Sequence, residues 1–364
     1  MNDKTLLYIQ DIVQETADTI TIHFTQPEQQ LSYLSGQFLT LISEIEGKEE
    51  RRSYSLCSSP YIDKNLSVTV KRVKGGKMSN HLSNNVKAGD TIAALPPMGN
   101  FKFKPENNQR HIVLVGGGSG ITPLFSIIKS ALIKEPESMV SLIYVNSNRE
   151  NTIFYHQLEQ WSSKFSSRFR IVYYWSDVIK NEQLKSGFLS RLFKRVNGNA
   201  HRINAMRLKT ILTDLQLKND TNTEFYICGP QELMEMATGT IQKTGFSKEV
   251  VHKESFYTAT KTTHKPAEAQ QEYQIKILLK GKEHEVNIPA GKSILFAGLE
   301  SGLDMPYSCQ SGNCISCAGR CLSGKVEMLV TEGLTEEQIK DGYVLTCVGY
   351  PKSDDVVIEF NRII

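Results

Sequence analysis

Three cysteines fall within nine residues, Cys309, Cys314 and Cys317, and a fourth, Cys347, follows thirty positions later. The spacing C-x4-C-x2-C with a distant fourth thiol is the plant-type pattern for a [2Fe–2S] cluster. Each iron needs two thiolates. A tight loop supplies three, and a residue arriving from a separate strand supplies the last. Gly312 and the small residues Ser308 and Ser311 let such a loop fold over the cluster and turn backbone N–H groups toward sulfur. Structural zinc and a disulfide framework fit less well, because zinc ligands come as C-x2-4-C doublets. Cys321 is left over as a free thiol.

A second group of residues suits phosphates. Val115 leads into Gly116-Gly117-Gly118-Ser119-Gly120-Ile-Thr-Pro123. Glycines there let backbone approach a pyrophosphate, and the helix that begins near Pro123 offers N–H donors and positive potential. An ordinary βα turn has the same composition, but a Walker loop does not, since Gly-Lys-Ser/Thr is missing. A second strand ends in Cys228-Gly229-Pro230. Placed beside the first in a parallel sheet, it brings Cys228 against a nicotinamide ring or buries it as a structural thiol. Upstream, Arg52-Ser-Tyr54-Ser55 alternates along a strand. Arg52 offers a phosphate fork, and Tyr54 a ring to stack on an isoalloxazine. Gly76-Lys77-Met78-Ser79, opening a helix, is another pyrophosphate seat.

The elements that must position these groups are legible in outline. A chain of 364 residues calls for two or three domains. Residues 1–105 hold short alternating strands without helices apart from the one that Gly76 opens, the mark of an antiparallel barrel. Residues 106–257 alternate continuous apolar strands with helices, which predicts an α/β domain on a parallel sheet. Residues 258–271 carry no bulky apolar side chain and read as a linker. Residues 272–364 open with a hairpin around Lys280-Gly281 and suit a small β-grasp domain. That last segment holds 9 Lys/Arg and 13 Asp/Glu although the whole chain is net +3, so an acidic cluster domain is joined to a basic remainder. The halves attract each other, or the cluster domain docks on a basic partner. No apolar run approaches a membrane span, the N-terminus lacks an apolar signal region, and the cysteine usage suits a reducing compartment, all of which predict a cytoplasmic protein.

R-x-Y-S, G-x-x-S, P-x-G-x-F (Pro97–Phe101), G-x-G-x-x-P and C-G-P occur here in that order. In this the chain resembles the ferredoxin–NADP⁺ reductase superfamily over residues 1–257. With its cysteine-rich C-terminus it is similar to the reductase components of multicomponent oxygenases, nearest to the group that serves phenylacetyl-CoA ring 1,2-epoxidases. The resemblance implies that Arg52 contacts flavin phosphates, Tyr54 stacks on the flavin and Ser55 bonds near its N5. It implies that Val70 and Lys71 run alongside the ring and ribityl chain, and that Gly76, Lys77, Met78 and Ser79 hold the pyrophosphate of FAD rather than FMN. Thr122 falls at the flavin–nicotinamide junction. Gly116 to Gly120, Cys228, Gly229 and Pro230 form the NAD(P)H surface, and Glu254 and Phe256 close that domain near the flavin. Tyr54, Ser55, Cys228 and Glu254 are the expected catalytic set. One departure is the segment 185–203, longer and more basic than the family's short turn; it is a docking element or a solvated helix.

The strand ending at Val145 leads to Asn146-Ser147-Asn148-Arg149-Glu150. Three residues without a carboxylate and then a guanidinium suit the 2′-phosphate of NADPH rather than NADH, provided Glu150 points away from Arg149. The implied reaction runs from NADPH to FAD, to [2Fe–2S], to an oxygenase. A reductase for another hydroxylase or a fatty-acid desaturase, and a plain iron–sulfur carrier, are the alternatives.

Overall fold

The computed structural model describes residues 4–25, 31–107, 109–177, 203–217, 222–256 and 271–360. The basic segment up to residue 202 and the linker up to residue 270 lie outside the described residues. The chain divides into two compact units. One comprises Met1–Glu50, Tyr54–Pro97 and Phe101–Ser255; the other comprises Arg51–Ser53, Met98–Asn100 and Phe256–Ile364.

The described residues before 256 form two sheets. Strands β1 (Thr5–Thr16), β2 (Thr19–Thr25), β3 (Phe38–Ile45), β4 (Lys48–Ser55), β5 (Leu66–Lys71) and β6 (Thr91–Met98) form an antiparallel sheet of order β4-β3-β6-β1-β2-β5. An isolated bridge between Leu56 and Val68 joins its two outer strands into a barrel. Alternation along the strands sends Leu7, Ile9, Ile22, Phe24, Leu39 and Leu41 inward to one core. Helix α1 (Lys77–Asn84) closes the barrel with Met78 and Leu82.

The chain then alternates: β7 (His111–Gly117), α2 (Ile121–Lys134), β8 (Met139–Asn146), α3 (Tyr155–Lys164), β9 (Phe169–Trp175), α4 (Ala205–Asp214), β10 (Thr223–Cys228), α5 (Gln231–Lys243) and β11 (Val251–Glu254). All five strands are parallel, in the order β11-β10-β7-β8-β9. The central strand β7 is buried from Ile112 to Gly117, as a strand covered on both faces must be. One face packs against α2 and α3, the other against α4 and α5. The strand order reverses between β7 and β10. Ligands of open α/β sheets bind in the crevice beyond the carboxyl ends at such a reversal.

In the second unit, β12 (Tyr273–Leu279) and β13 (Lys282–Ile288) form the expected hairpin. Its two-residue loop has Lys280 at φ +53° and Gly281 at φ +76°, the left-handed pair such a tight turn requires. After α6 (Ile294–Glu300) come β14 (Ala318–Ser323), β15 (Val326–Met328), α7 (Glu336–Lys340), β16 (Tyr343–Leu345), β17 (Gly349–Pro351) and β18 (Val357–Phe360). The main sheet runs β13-β12-β18-β14-β16, and β15 pairs with β17. Ile275, Ile277 and Leu279 alternate inward onto a core shared with Leu295, Val344 and Ile358. Strands β11, β14, β16 and β17 escape a reading by apolar alternation, because each is short or polar and owes its conformation to its partners. No described helix is long and apolar enough to cross a membrane.

Candidate functional site

The crevice between β7 and β10 is built by backbone. The register places Gly116 opposite Cys228. A Cβ on Gly120 would lie 2.1 Å from the carbonyl oxygen of Cys228, and one on Gly117 would meet Leu233 and Pro230 at 2.7 Å. A Cβ on Gly229 would stand 2.9 Å from the nitrogen of Gly117. The spacing in the sequence assigns these glycines to phosphate approach. The structure adds that Gly120 and Gly229 are small because two strand ends and a turn pack backbone to backbone, and Gly117 because the Leu233 and Pro230 side chains lie against it. Gly118 differs: its φ is +53° and, among the described residues, no atom lies within 4 Å of where its Cβ would be. It presents an open surface, and its carbonyl accepts a hydrogen bond from the buried Tyr144 hydroxyl at 3.0 Å. A single 3₁₀ turn, Gly118–Gly120, leads into α2, whose N-terminus no side chain caps. Thr122 is buried in its first turn and donates to the carbonyl of Ser119 at 3.0 Å.

Strand β11 adds a third strand end. Glu254 lies in register with Cys228. Its Oε2 accepts a hydrogen bond from Ser55 Oγ at 3.0 Å, and both residues are buried. Three of the four expected catalytic residues, Ser55, Cys228 and Glu254, therefore meet in one place. Cys228 is fully buried, and burial together with the Glu254 charge pushes its thiol well above the usual value, so it stays protonated. Tyr54, the fourth, packs part-buried on the barrel core.

The other residues expected to meet a flavin are ordered by local bonds. Arg52 is half-buried and donates to the carbonyl of Arg51 at 2.6 Å. Val70 has its side chain wholly in the barrel core, so only its backbone can lie along a ligand. Lys71 reaches Asp18 at 3.6 Å. Helix α1 begins at Lys77 with no side chain capping Gly76. Ser79 Oγ accepts from the Val73 N–H at 3.1 Å and so folds the preceding loop onto the helix start. An uncapped helix N-terminus at the end of a glycine turn is a fitting seat for a pyrophosphate. Phe256 is exposed, at 44 %.

Arg149 lies with its guanidinium carbon 4.6 Å from the ring centre of Tyr155. Both line a cavity of about 580 Å³ with Glu15, Glu150, Thr152, Phe154 and Gln157. Glu150, expected to point away, thus lines the same cavity as Arg149. Both residues lie in a turn that Asn148 closes, its Oδ1 accepting from the Asn151 N–H at 3.0 Å. Asp177, which the sequence does not single out, follows the neighbouring strand β9. The ladder from β8 runs on through Ser176 N to Asn146 O (3.0 Å) and Asp177 N to Ser147 O (2.7 Å), which sets a carboxylate-bearing residue beside Ser147.

In the second unit Cys309, Cys314, Cys317 and Cys347 are all buried. They stand in two pairs. Cys314 donates to Cys309 Sγ at 3.1 Å, and Cys347 is hydrogen-bonded to Cys317. The Cys314 bond, with Ser311 and the N–H groups of Ser311 and Asn313, draws the Cys309 thiol below its usual value. The Ser311 N–H lies 3.4 Å from Cys309 Sγ, as the loop composition predicts. Among the described residues no three His, Cys, Asp or Glu side chains converge on one metal-ion position. A [2Fe–2S] cluster asks for two thiolates at each of two irons instead, and two pairs of buried cysteines fit it. Gly312 has φ +78°, and a Cβ there would strike Val330 at 2.7 Å. Cys347 sits in the turn between β16 and β17 rather than on a strand. Cys321 is on β14, half-buried, and donates to the carbonyl of Ser323.

Residues 6–103 match the oxidoreductase FAD-binding domain family, residues 114–239 the oxidoreductase NAD-binding domain family, and residues 277–352 the 2Fe-2S iron-sulfur cluster binding domain family. The chain is 31% identical over 361 residues to one component of the 1,2-phenylacetyl-CoA epoxidase of Escherichia coli (strain K12), covering 98% of this chain and 97% of that one. It is 33% identical over 367 residues to the ferredoxin reductase component of the 3-ketosteroid-9-alpha-monooxygenase of Rhodococcus rhodochrous, covering 98% and 96%. Among solved structures, phthalate dioxygenase reductase shares the fold, with a TM-score of 0.60 and 24% identity over 98% of both chains.

Proposed function

The chain belongs to the FAD- and [2Fe–2S]-containing reductase components of multicomponent oxygenases, and from that premise we propose how its own residues carry electrons from NAD(P)H toward an oxygenase. Bound FAD supplies the conversion between a two-electron hydride and the one-electron capacity of a [2Fe–2S] cluster.

Arg52 and the turn Gly76–Ser79 hold the flavin's phosphates, Tyr54 stacks on its ring, and the backbone of Val70 and Lys71 lines its side. Thr122, Cys228 and the turn Gly116–Gly120 seat the nicotinamide half of the nucleotide, with Gly229 and Pro230 shaping the opposite wall. The observation that carries this reading is the Ser55–Glu254 hydrogen bond, with Glu254 in register with Cys228. It joins the end of the flavin-side strand to the ends of the nucleotide-side strands. Ser55 Oγ holds its proton on Glu254 Oε2, so this pair can pass a proton at the seam. The Cys228 thiol is wholly buried in the core behind the crevice and uncharged, so it adds no charge there. Cys309, Cys314, Cys317 and Cys347 hold the cluster two by two. The receiving protein is an oxygenase component, by analogy with the epoxidase and ketosteroid monooxygenase relatives, and the protein works in the cytoplasm, where its thiols stay reduced.

For the nucleotide we favour NADPH, with Arg149 on the 2′-phosphate. Asp177 supports the opposite choice, since a carboxylate at a strand end beside the ribose favours NADH. Kinetics with both nucleotides decide. Arg149→Ala should lower kcat/KM for NADPH about 10- to 100-fold, the worth of a charge-assisted hydrogen bond, and leave NADH nearly unchanged. Equal loss with both, or a wild-type preference for NADH that Asp177→Asn abolishes, refutes the NADPH assignment.

A further inference from the structure

Helix α2 is fastened to the barrel by polar groups that the reaction itself does not use. Lys129 is only 7 % exposed in the middle of this helix. Lysine is almost never buried without a partner, and its ammonium pairs with Asp63. The same Asp63 oxygen accepts the Ser59 N–H at 2.6 Å. One residue on, Ser130 Oγ lies 2.6 Å from Ser35 Oγ and 2.7 Å from Ser59 Oγ, a row of three hydroxyls with no exposed surface. One turn earlier, Ser126 Oγ donates to the carbonyl of Ser58. Ser58 Oγ in turn accepts from the Ser67 N–H at 3.0 Å and bonds the Tyr33 hydroxyl at 2.8 Å.

Stability does not explain this choice of residues. Apolar side chains of similar volume would hold the seam as well, because burying ions and hydroxyls costs desolvation. Hydrogen bonds add direction: they fix distance and angle where an apolar seam lets a helix slide. The placement is telling. Ser126, Lys129 and Ser130 follow Thr122 on one rigid helix, Lys129 about 10 Å along it. Ser58, Ser59 and Asp63 follow Ser55 within eight residues.

We propose that Lys129–Asp63 and the Ser35–Ser130–Ser59 hydroxyls are a positioning lock that sets the angle at which the nucleotide side of the crevice meets the flavin side. The proposal rests on the flavin–nicotinamide reading of that crevice. These are positioning residues, acting through Thr122 and Ser55.

The test uses the full chain with Lys129→Met, Asp63→Asn, the double variant and Ser130→Ala. In the apoprotein, amide hydrogen exchange at residues 56–63 and along α2 should quicken in each variant. With FAD bound, flavin content and nucleotide Kd should stay within about twofold. The limiting rate of flavin reduction should fall about tenfold or more, as small misplacements of reacting groups do. The deuterium isotope effect on that step should rise, and the nicotinamide–flavin charge-transfer absorbance should weaken. A wild-type limiting rate, isotope effect and charge-transfer band alongside a lowered Tm would overturn the lock. So would a weakened Kd at an unchanged limiting rate. If Lys129→Met does not fold, Ser130→Ala, which removes one hydroxyl and no charge, decides by the same criteria. A wild-type chain whose flavin NAD(P)H never reduces overturns the site reading and the lock together.

Discussion

Substituting Gly120 by Ala adds one carbon where the fold has no room. That carbon would sit 2.1 Å from the Cys228 carbonyl oxygen, 2.5 Å from its carbonyl carbon and 2.8 Å from the Gly229 nitrogen, whereas ordinary contact begins near 3.4 Å. All three atoms are backbone, so no side chain can rotate away. The shortfall of about 1.3 Å must be met by parting the start of α2 from the end of β10. Overpacking of this kind costs about 1–3 kcal/mol. The kinetic cost should be larger in effect, because a misplacement of about 1 Å at a reacting pair lowers the rate about 100-fold. Gly239→Ala is the control. Gly239 lies inside helix α5 with open space at its Cβ, so the same substitution should be neutral in rate and raise stability by up to about 1 kcal/mol. Denaturant unfolding measures the first quantity, and stopped-flow reduction of bound flavin at saturating nucleotide the second. If Gly120→Ala reduces flavin at the wild-type rate, the backbone packing of the two strand ends does not set the crevice.

Serine at Cys309, Cys314, Cys317 or Cys347 should lose the visible absorbance and iron of the cluster while NAD(P)H still reduces flavin; Cys321→Ser should keep both, and the reverse pattern by iron analysis refutes the ligand assignment. Glu254→Gln should slow flavin reduction about 10-fold or more and flatten its pH profile, as loss of a proton-handling group does; an unchanged profile removes Glu254 from proton handling. His111 Nε2 sits 2.9 Å from Ser141 Oγ, and burial, helped by the Arg170 charge, brings its pKa down from 6.5 to about 4. The folded chain therefore binds this proton less well than the unfolded chain. Stability is full above pH 6.5 and is lost as pH falls from there toward 4. His111→Gln should reduce that slope in urea unfolding followed across pH, and an unchanged slope contradicts the burial argument.

Where chemistry is encoded within a few residues, the sequence alone determines it. Four cysteines at plant-type spacing, alternation in β2 and β5, the continuous apolar run of β7 and the glycines after it are local signals. They arise because ligand reach, pleat period and turn geometry are local constraints. The order of the motifs then identifies the family, since three unrelated sites would rarely occur together in that sequence by chance. Tertiary structure alone decided what depends on residues far apart. Ser55 and Glu254 bond across 199 positions, and the polar strand β11 exists through its pairing with β10. Gly120 is a glycine because the Cys228 carbonyl leaves no room for a Cβ. The turn after β8 puts Glu150 on the same wall as Arg149, and the buried Lys129 looks like a surface residue until Asp63 is found beside it. Such contacts leave no periodicity in the chain, because the groups that satisfy each buried donor or charge come from segments whose approach only the completed packing determines.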